Sequence, residues 1–325
     1  MNRRNLLTAL TCAVVWPRHA LAQQSKIARL GLLEPASATG FAPWRQALLA
    51  GLRELGYVEG KNILLEHRWA EGKYERLPGL AAELVQMKVD VILAASGPGI
   101  KAAQQATTAI PIVMVRTADP VGAGFVASLS RPGRNITGLS NIHVDVSTKY
   151  LELLRAAVPK LTRVAVLMNP AHPNHAGFLK PIQATAKAHN ITIVPVQAGT
   201  ASEIEAALGT VMQERAGALI ALADPFFFAQ APRIADLAAQ HRMPTMFWSR
   251  EPVEAGALMS YGQNNAEHYY RAATYIDKIL KGSRPGELPV EQPTKFELVI
   301  NRKTAGALGV AIPASLLVSA DKVFE

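Results

Sequence analysis

Residues 89–120, VDVILAASGPGIKAAQQATTAIPIVMVRTADP, decide the fold class. Residues 89–95 and 112–115 are short apolar runs, too continuous for a strand with one wet face, and they suit parallel strands covered by helices on both sides. Between them Ser96-Gly97-Pro98-Gly99 makes a turn and opens a segment of helical period. This is a βαβ unit, and the flanking sequence repeats it. Upstream, 27–33 and 63–69 read as strands, with helices over 44–55, closed by Gly56, and over 77–87. Residues 131–143, rich in turn formers, read as the end of a first lobe and a crossing strand. The alternation then restarts, with strands at 164–168, 191–196, 218–222 and 245–248 and helices near 175–189, 202–214 and 231–241. Residues 257–261 before Gly262 make a second crossing, 266–280 an amphipathic helix ended by Gly282, and proline-rich 284–293 a third connection before 296–300.

The expectation is an α/β protein of two Rossmann-like lobes with parallel sheets, joined by a three-strand hinge. The lobes are expected at 23–142 plus 262–290 and at 143–261 plus 291–325, with Ser140, Tyr261 and Gly262 in the hinge. Length agrees, because 325 residues exceed the roughly 250–300 at which single cores stop growing. The lone Cys12 excludes a disulfide framework and any cysteine-based metal site. Mean hydropathy is +0.12, yet beyond the first two dozen residues no apolar run approaches the ~20 needed to span a bilayer.

Asn2-Arg3-Arg4, an apolar stretch over 6–16 and Ala20-Leu21-Ala22 have the three parts of a secretory signal peptide, expected to be cleaved after Ala22. Arg3-Arg4 before Leu6-Leu7 also resembles a twin-arginine signal. Removing the leader takes Cys12 and three arginines away, leaving 31 basic against 25 acidic residues and a net charge of +6. No run of lysine and arginine follows, so no nucleic-acid partner is expected, and the charge reads as a basic periplasmic surface.

Gly97-x-Gly99-x-x-Ala102, with Asp119 twenty positions beyond Gly99, has the spacing of a dinucleotide fingerprint. It follows the third strand where the fingerprint belongs to the first βα turn, which disfavours a nicotinamide-dependent enzyme. What survives is a helix start suited to a carboxylate or other small anion. Ligands in such sheets meet the loops at strand carboxyl ends. That rule nominates Glu34 and Ser37, Ser96 and Gly97, and Thr117 and Asp119 from the first lobe. From the second it nominates Asn169, Asp224, Trp248 and Ser249. Asp119-Pro120 and Asp224-Pro225 also fit plain helix caps with proline first. The mixture of hydroxyls, amides, carboxylates and an indole suits a small zwitterion with an apolar side chain, whose ammonium Asp224 could hold. No nucleophile elbow, P-loop or His-Glu-x-x-His occurs, so no catalytic residue, cofactor or metal is expected. His172-Pro173-Asn174-His175 is the nearest approach to a metal pair, but Pro173 argues for a loop and no acidic ligand is adjacent, so the two read as solvated loop histidines. Phe226-Phe227-Phe228 could line an aromatic ligand pocket, with core packing below the following helix the favoured reading.

Several passages together resemble one family: GLRELGYVEGKNI (51–63), ADPVGAGFVASLSRPGRNITGLS (118–140), AGALMSYG (255–262), RAATYIDKILKG (271–282) and LPVEQPTKFELVINRKTAGALG (288–309). They are similar to ABC-transporter substrate-binding proteins of the tryptophan-binding TrpX-like family. The resemblance implies a class I periplasmic binding protein that hands a small solute to a membrane permease and ATPase, with relatives associated with aromatic amino acids. It implies a pocket drawing on Ser37, Ser96, Gly97, Thr117 and Asp119 from one lobe and Asn169, Asp224 and Trp248 from the other. Two departures stand out: Gly97-Pro98-Gly99 lacks the hydroxyl of the Gly-Thr-Pro common in relatives, and Arg134 stands where a glycine is usual. The resulting expectation is an exported, monomeric, non-enzymatic solute receptor, with a receptor feeding a membrane sensor as the alternative.

Overall fold

The structure is a computed structural model that describes residues 27–141, 143–172, 174–292 and 295–325, so the signal-peptide reading falls outside the described residues. The first sheet contains β1 (Ala28–Glu34), β2 (Ile63–Trp69), β3 (Val91–Ala95), β4 (Ile112–Thr117) and β5 (Ile136–Ser140), in the order β2-β1-β3-β4-β5. Every pairing in it is parallel. Helices α1 (Ala38–Glu54), α2 (Leu77–Gln86) and α3 (Ser96–Ala106) connect these strands. The runs at 91–95 and 112–117 are buried along their whole length, as strands covered on both faces must be.

The chain then enters α4 (His143–Ala157), β6 (Arg163–Met168), α5 (His175–Ala188), β7 (Thr192–Gln197) and α6 (Ala201–Gln213). It continues through β8 (Leu219–Ala221), α7 (Pro225–Ala229), α8 (Ala231–Gln240), β9 (Thr245–Phe247), α9 (Glu251–Glu254) and β10 (Met259–Gly262). After α10 (Asn265–Leu280) come β11 (Glu297–Asn301), α11 (Arg302–Leu308), α12 (Ala314–Ser319) and β12 (Lys322–Phe324). The second sheet runs β12-β11-β10-β9-β8-β6-β7 and is parallel except where β11 pairs antiparallel with β10. The fold is thus α/β with two lobes. Among the described residues no helix is long and apolar enough to cross a membrane.

The lobes are not contiguous in sequence. Helix α10, although it follows β10 of the second sheet, returns to the first lobe and packs along α1 and over β4 and β5. Gly51 permits that crossing, since a Cβ there would lie 2.5 Å from the Tyr270 carbonyl oxygen. Two of the crossing segments run side by side, with the Ser140 N–H donating to the Glu291 carbonyl at 2.9 Å. In the third, Gly262 at the end of β10 lies so close to the end of the neighbouring strand β9 that a Cβ would clash with the Trp248 carbonyl oxygen.

Helix α1 begins six residues before the sequence-based expectation. Ser37 caps it, its Oγ accepting from the Gly40 N–H at 3.2 Å, and Pro43 lies inside it. Proline reads as a boundary because it removes one helical hydrogen bond. Here the fully buried Phe41 and Trp44 on either side of it hold the early turns in place.

Candidate functional site

The carboxyl ends of both sheets face one cleft. Ser96 and Gly97 at the start of α3, and Arg116 at the end of β4, line it from the first lobe. Asn174, Asp224 and Trp248 line it from the second, with Asn141 from the crossing after β5. The free space at its centre is about 30 Å³, room for roughly one water.

Around this space the lobes touch. The Tyr74 hydroxyl donates to Asp224 Oδ2 at 2.9 Å, and Trp44 Nε1 donates to Glu251 Oε1 at 2.8 Å. The rings of Trp44 and Phe228 lie 4.7 Å apart. The three phenylalanines after Asp224 are buried as the sequence suggests, yet Phe228 packs on Trp44 of the opposite lobe as well as in its own.

Asp224 is both a cap and a cavity wall. Its Oδ1 accepts from the N–H groups of Phe226 and Phe227 at 2.7 and 3.2 Å, satisfying the start of α7. Burial pushes its carboxyl up to about 6, against the downward pull of the Tyr74 hydroxyl and its other hydrogen-bond donors, Asn169 among them. Asn169 therefore stands behind Asp224, not on the cavity wall.

Across the cleft Glu34 is wholly buried, accepting from the Tyr269 hydroxyl at 2.6 Å. Desolvation raises its carboxyl to about 7 despite the nearby Arg116 charge and the Tyr269 hydrogen bond. Tyr269 stacks on Trp44 with 5.6 Å between ring centroids, and the Arg116 guanidinium carbon lies 4.1 Å above Trp44.

Of the residues nominated from sequence, Ser96, Gly97, Asp224 and Trp248 come together on the cavity. Ser37 caps α1, and Thr117 is buried at the end of β4 beside Ser140, so neither lines it. Asp119 is exposed, its Oδ1 accepting from the Gly122 N–H at 2.8 Å in a local turn. Tyr261 and Gly262 lie in β10, with the Tyr261 ring stacked on Phe296.

The two histidines require a correction, because both are buried and not solvated. His175 Nδ1 accepts from the Asn169 N–H at 2.8 Å, and its Nε2 lies 3.2 Å from the Ala223 carbonyl, which fixes a neutral ring with a proton on Nε2. Burial lowers its pKa to about 4. His172, His175 and Asp224 place potential metal-ligand atoms within 4.8 Å of one another. A cation there would have to displace the hydrogen bonds of His175 and compete with the donors on Asp224, so the cluster as folded acts as polar packing.

Sequence reasoning passed over Arg116, Asn174 and Phe178, all on the cavity wall. Arg116 immediately follows an apolar strand, which is the one signal that could have found it.

A model of the family described as ABC transporter substrate binding protein matches residues 30–324. A curated tyrosine-binding protein of Clostridioides difficile is 29% identical over 265 residues, spanning 81% of this chain and 76% of that protein. A crystal structure described as an ABC domain in complex with L-Trp, from Streptococcus pneumonia, overlays with a TM-score of 0.84 at 25% identity, covering 91% of this chain and 99% of that one. A ligand-free, open substrate-binding protein with adhesive properties from Clostridium difficile overlays at 0.66, also at 25% identity, over 92% and 99% of the two chains.

Proposed function

Because the chain belongs to the ABC transporter substrate binding protein family, we propose that it captures a small solute, an amino acid or similar carboxylate, between its lobes and presents the closed form to a membrane permease and ATPase. The observation that carries this reading is the cavity itself, walled by charged and polar groups from both lobes at once. A solute touching both walls stabilises the closed arrangement over the open one, and only such differential contact transmits a signal. The overlays support closure: at equal identity, the chain fits the L-Trp complex better than the open, ligand-free relative. The central space holds about one water, so a solute enters with the lobes apart.

In this reading the lobes are 23–142 plus 262–290 and 143–261 plus 291–325, turning about Ser140, Tyr261 and Gly262. The chain is exported to the periplasm, acts as a monomer and performs no chemistry on its solute. Ser96, Gly97, Asp224 and Trp248 contact the solute, while Asn169 orients Asp224.

The test is a thermal-shift screen of amino acids, purines and small organic acids on the chain from residue 23, paired with solution scattering. A bound solute at about 100 times its Kd stabilises the fold by about 2.7 kcal/mol, and it should contract the particle. Unchanged melting and scattering across the set, together with turnover of any compound, defeats the reading.

A further inference from the structure

Arg116 is the one arginine or lysine that is buried among the described residues, with 8% of its surface exposed. Its backbone is unusual too. The register of β4 against β5 slips between Met114 and Thr117, and Arg116 within that slip has φ +59°, a left-handed conformation that non-glycine residues seldom adopt. Gly138 on the partner strand accommodates the irregularity, since a Cβ there would lie 2.2 Å from the Met114 carbonyl oxygen. Bulges of this kind re-aim a side chain, and strained residues of this kind concentrate at binding sites. Here the re-aimed side chain is a wall of the cleft.

Among the described residues no carboxylate lies within ion-pair distance of that charge; the Tyr269 hydroxyl, which donates to Glu34, is a neutral hydrogen-bonding neighbour of it. The ion pairs among the described residues join other groups, mostly at the surface, and Arg116 takes part in none of them. Glu34 feels its charge from beyond ion-pair distance, and burial raises that carboxyl to about 7, so it is mostly protonated at pH values below neutral. Asp224 also lines the cavity, but its oxygens accept from Phe226, Phe227 and Tyr74. The Trp44 face below the guanidinium offers a weak cation–π contact, which with the neutral Tyr269 hydroxyl offsets only part of the cost of burying a cation that has no anionic partner among the described residues. On the same cavity, the Ser96 hydroxyl is buried and has no hydrogen-bond partner among the described residues. It also faces the cavity, at the start of α3.

We propose that Arg116 is the anion anchor of the cleft: a carboxylate of the captured solute pairs with its guanidinium, and carboxylate-bearing solutes are selected over otherwise identical ones without it. The proposal rests on the receptor reading above and names the group within that site that does the selecting.

The experiment compares wild type, Arg116→Met and Arg116→Lys by calorimetry against three matched pairs: L-tyrosine with tyramine, L-tryptophan with tryptamine, and L-phenylalanine with phenethylamine. Ligand-free melting is recorded in parallel. Wild type should prefer the carboxylate-bearing member of a pair it binds by at least about 30-fold, the lower end of what losing a buried charge partner costs. Arg116→Met should abolish that preference, and Arg116→Lys should keep it in weakened form. Ligand-free Arg116→Met should melt at or above wild type, because a buried cation without an anionic partner has gone. If Arg116→Met unfolds, the lysine variant decides, and a preference there equal to wild type overturns the proposal. The preference surviving in Arg116→Met, or wild type binding an amine as tightly as its amino acid, overturns it while leaving the receptor reading intact. Wild type that takes up none of the six overturns this proposal, while the receptor reading stands or falls on the wider thermal-shift screen.

Discussion

Glu34→Gln isolates what an internal acid costs this fold. Glu34 has no solvent exposure, Oε1 takes the Tyr269 hydroxyl, and Oε2 has no partner among the described residues. Burial lifts its pKa from 4.5 to about 7. Since the folded-state value lies above the unfolded one, the folded chain keeps a proton over a range where the unfolded chain has lost it. The associated stabilisation is therefore complete below about pH 4.5, declines with rising pH and is gone above about pH 7. A gap of about 2.5 pH units at ~1.36 kcal/mol each is worth roughly 3 kcal/mol. Glutamine retains an acceptor for Tyr269 and does not ionise, so the variant should lack this slope. Urea unfolding of both proteins between about pH 4.5 and pH 7.5 provides the assay, and subtracting one curve from the other cancels groups they share. Relative to the variant, wild type should lose roughly 3 kcal/mol across that range. A difference constant to within about 0.5 kcal/mol would refute the reasoning.

Gly262→Ala sets a methyl group against the Trp248 carbonyl, a backbone atom that cannot rotate away. It should lower stability by about 3 kcal/mol and change tryptophan fluorescence, and melting within a degree or two of wild type would show that the backbone at Trp248 yields freely. Tyr74→Phe keeps the ring but removes the hydroxyl reaching Asp224 from the opposite lobe. The closed form should lose about 1 kcal/mol and the ligand-free particle should expand in solution scattering, so an unchanged radius of gyration counts against a bond that holds the lobes together.

The strands were legible because both sheets are parallel and covered, which leaves continuous apolar runs such as 91–95 and 112–117 that survive without any knowledge of partners. The strand-end rule found Ser96, Gly97, Asp224 and Trp248 for the same reason. It passed over Arg116, which directly follows the run read at 112–115, because its turn into the cleft depends on a register irregularity that Gly138, more than twenty residues away, accommodates. No local pattern carries that information. His175 was misread because Pro173 and Asn174 signal a loop, while its burial is set by Asn169 and Ala223. Asp119 and Asp224 share the same Asp-Pro signature, and only tertiary packing distinguishes the exposed turn from the cavity wall.

The return of α10 to the first lobe bears on how the molecule is made. A nascent chain ending at Ser140 already holds all five strands of its leading sheet, yet the groove on α1 around Gly51 and the surface over β4 and β5 stay bare until the segment carrying Tyr270 and Ala273 has been synthesised. The leading half therefore cannot mature as an independent unit, and a fragment truncated before residue 265 should be sticky and short-lived. Such a delay keeps the polypeptide threadable until nearly its whole length has been produced.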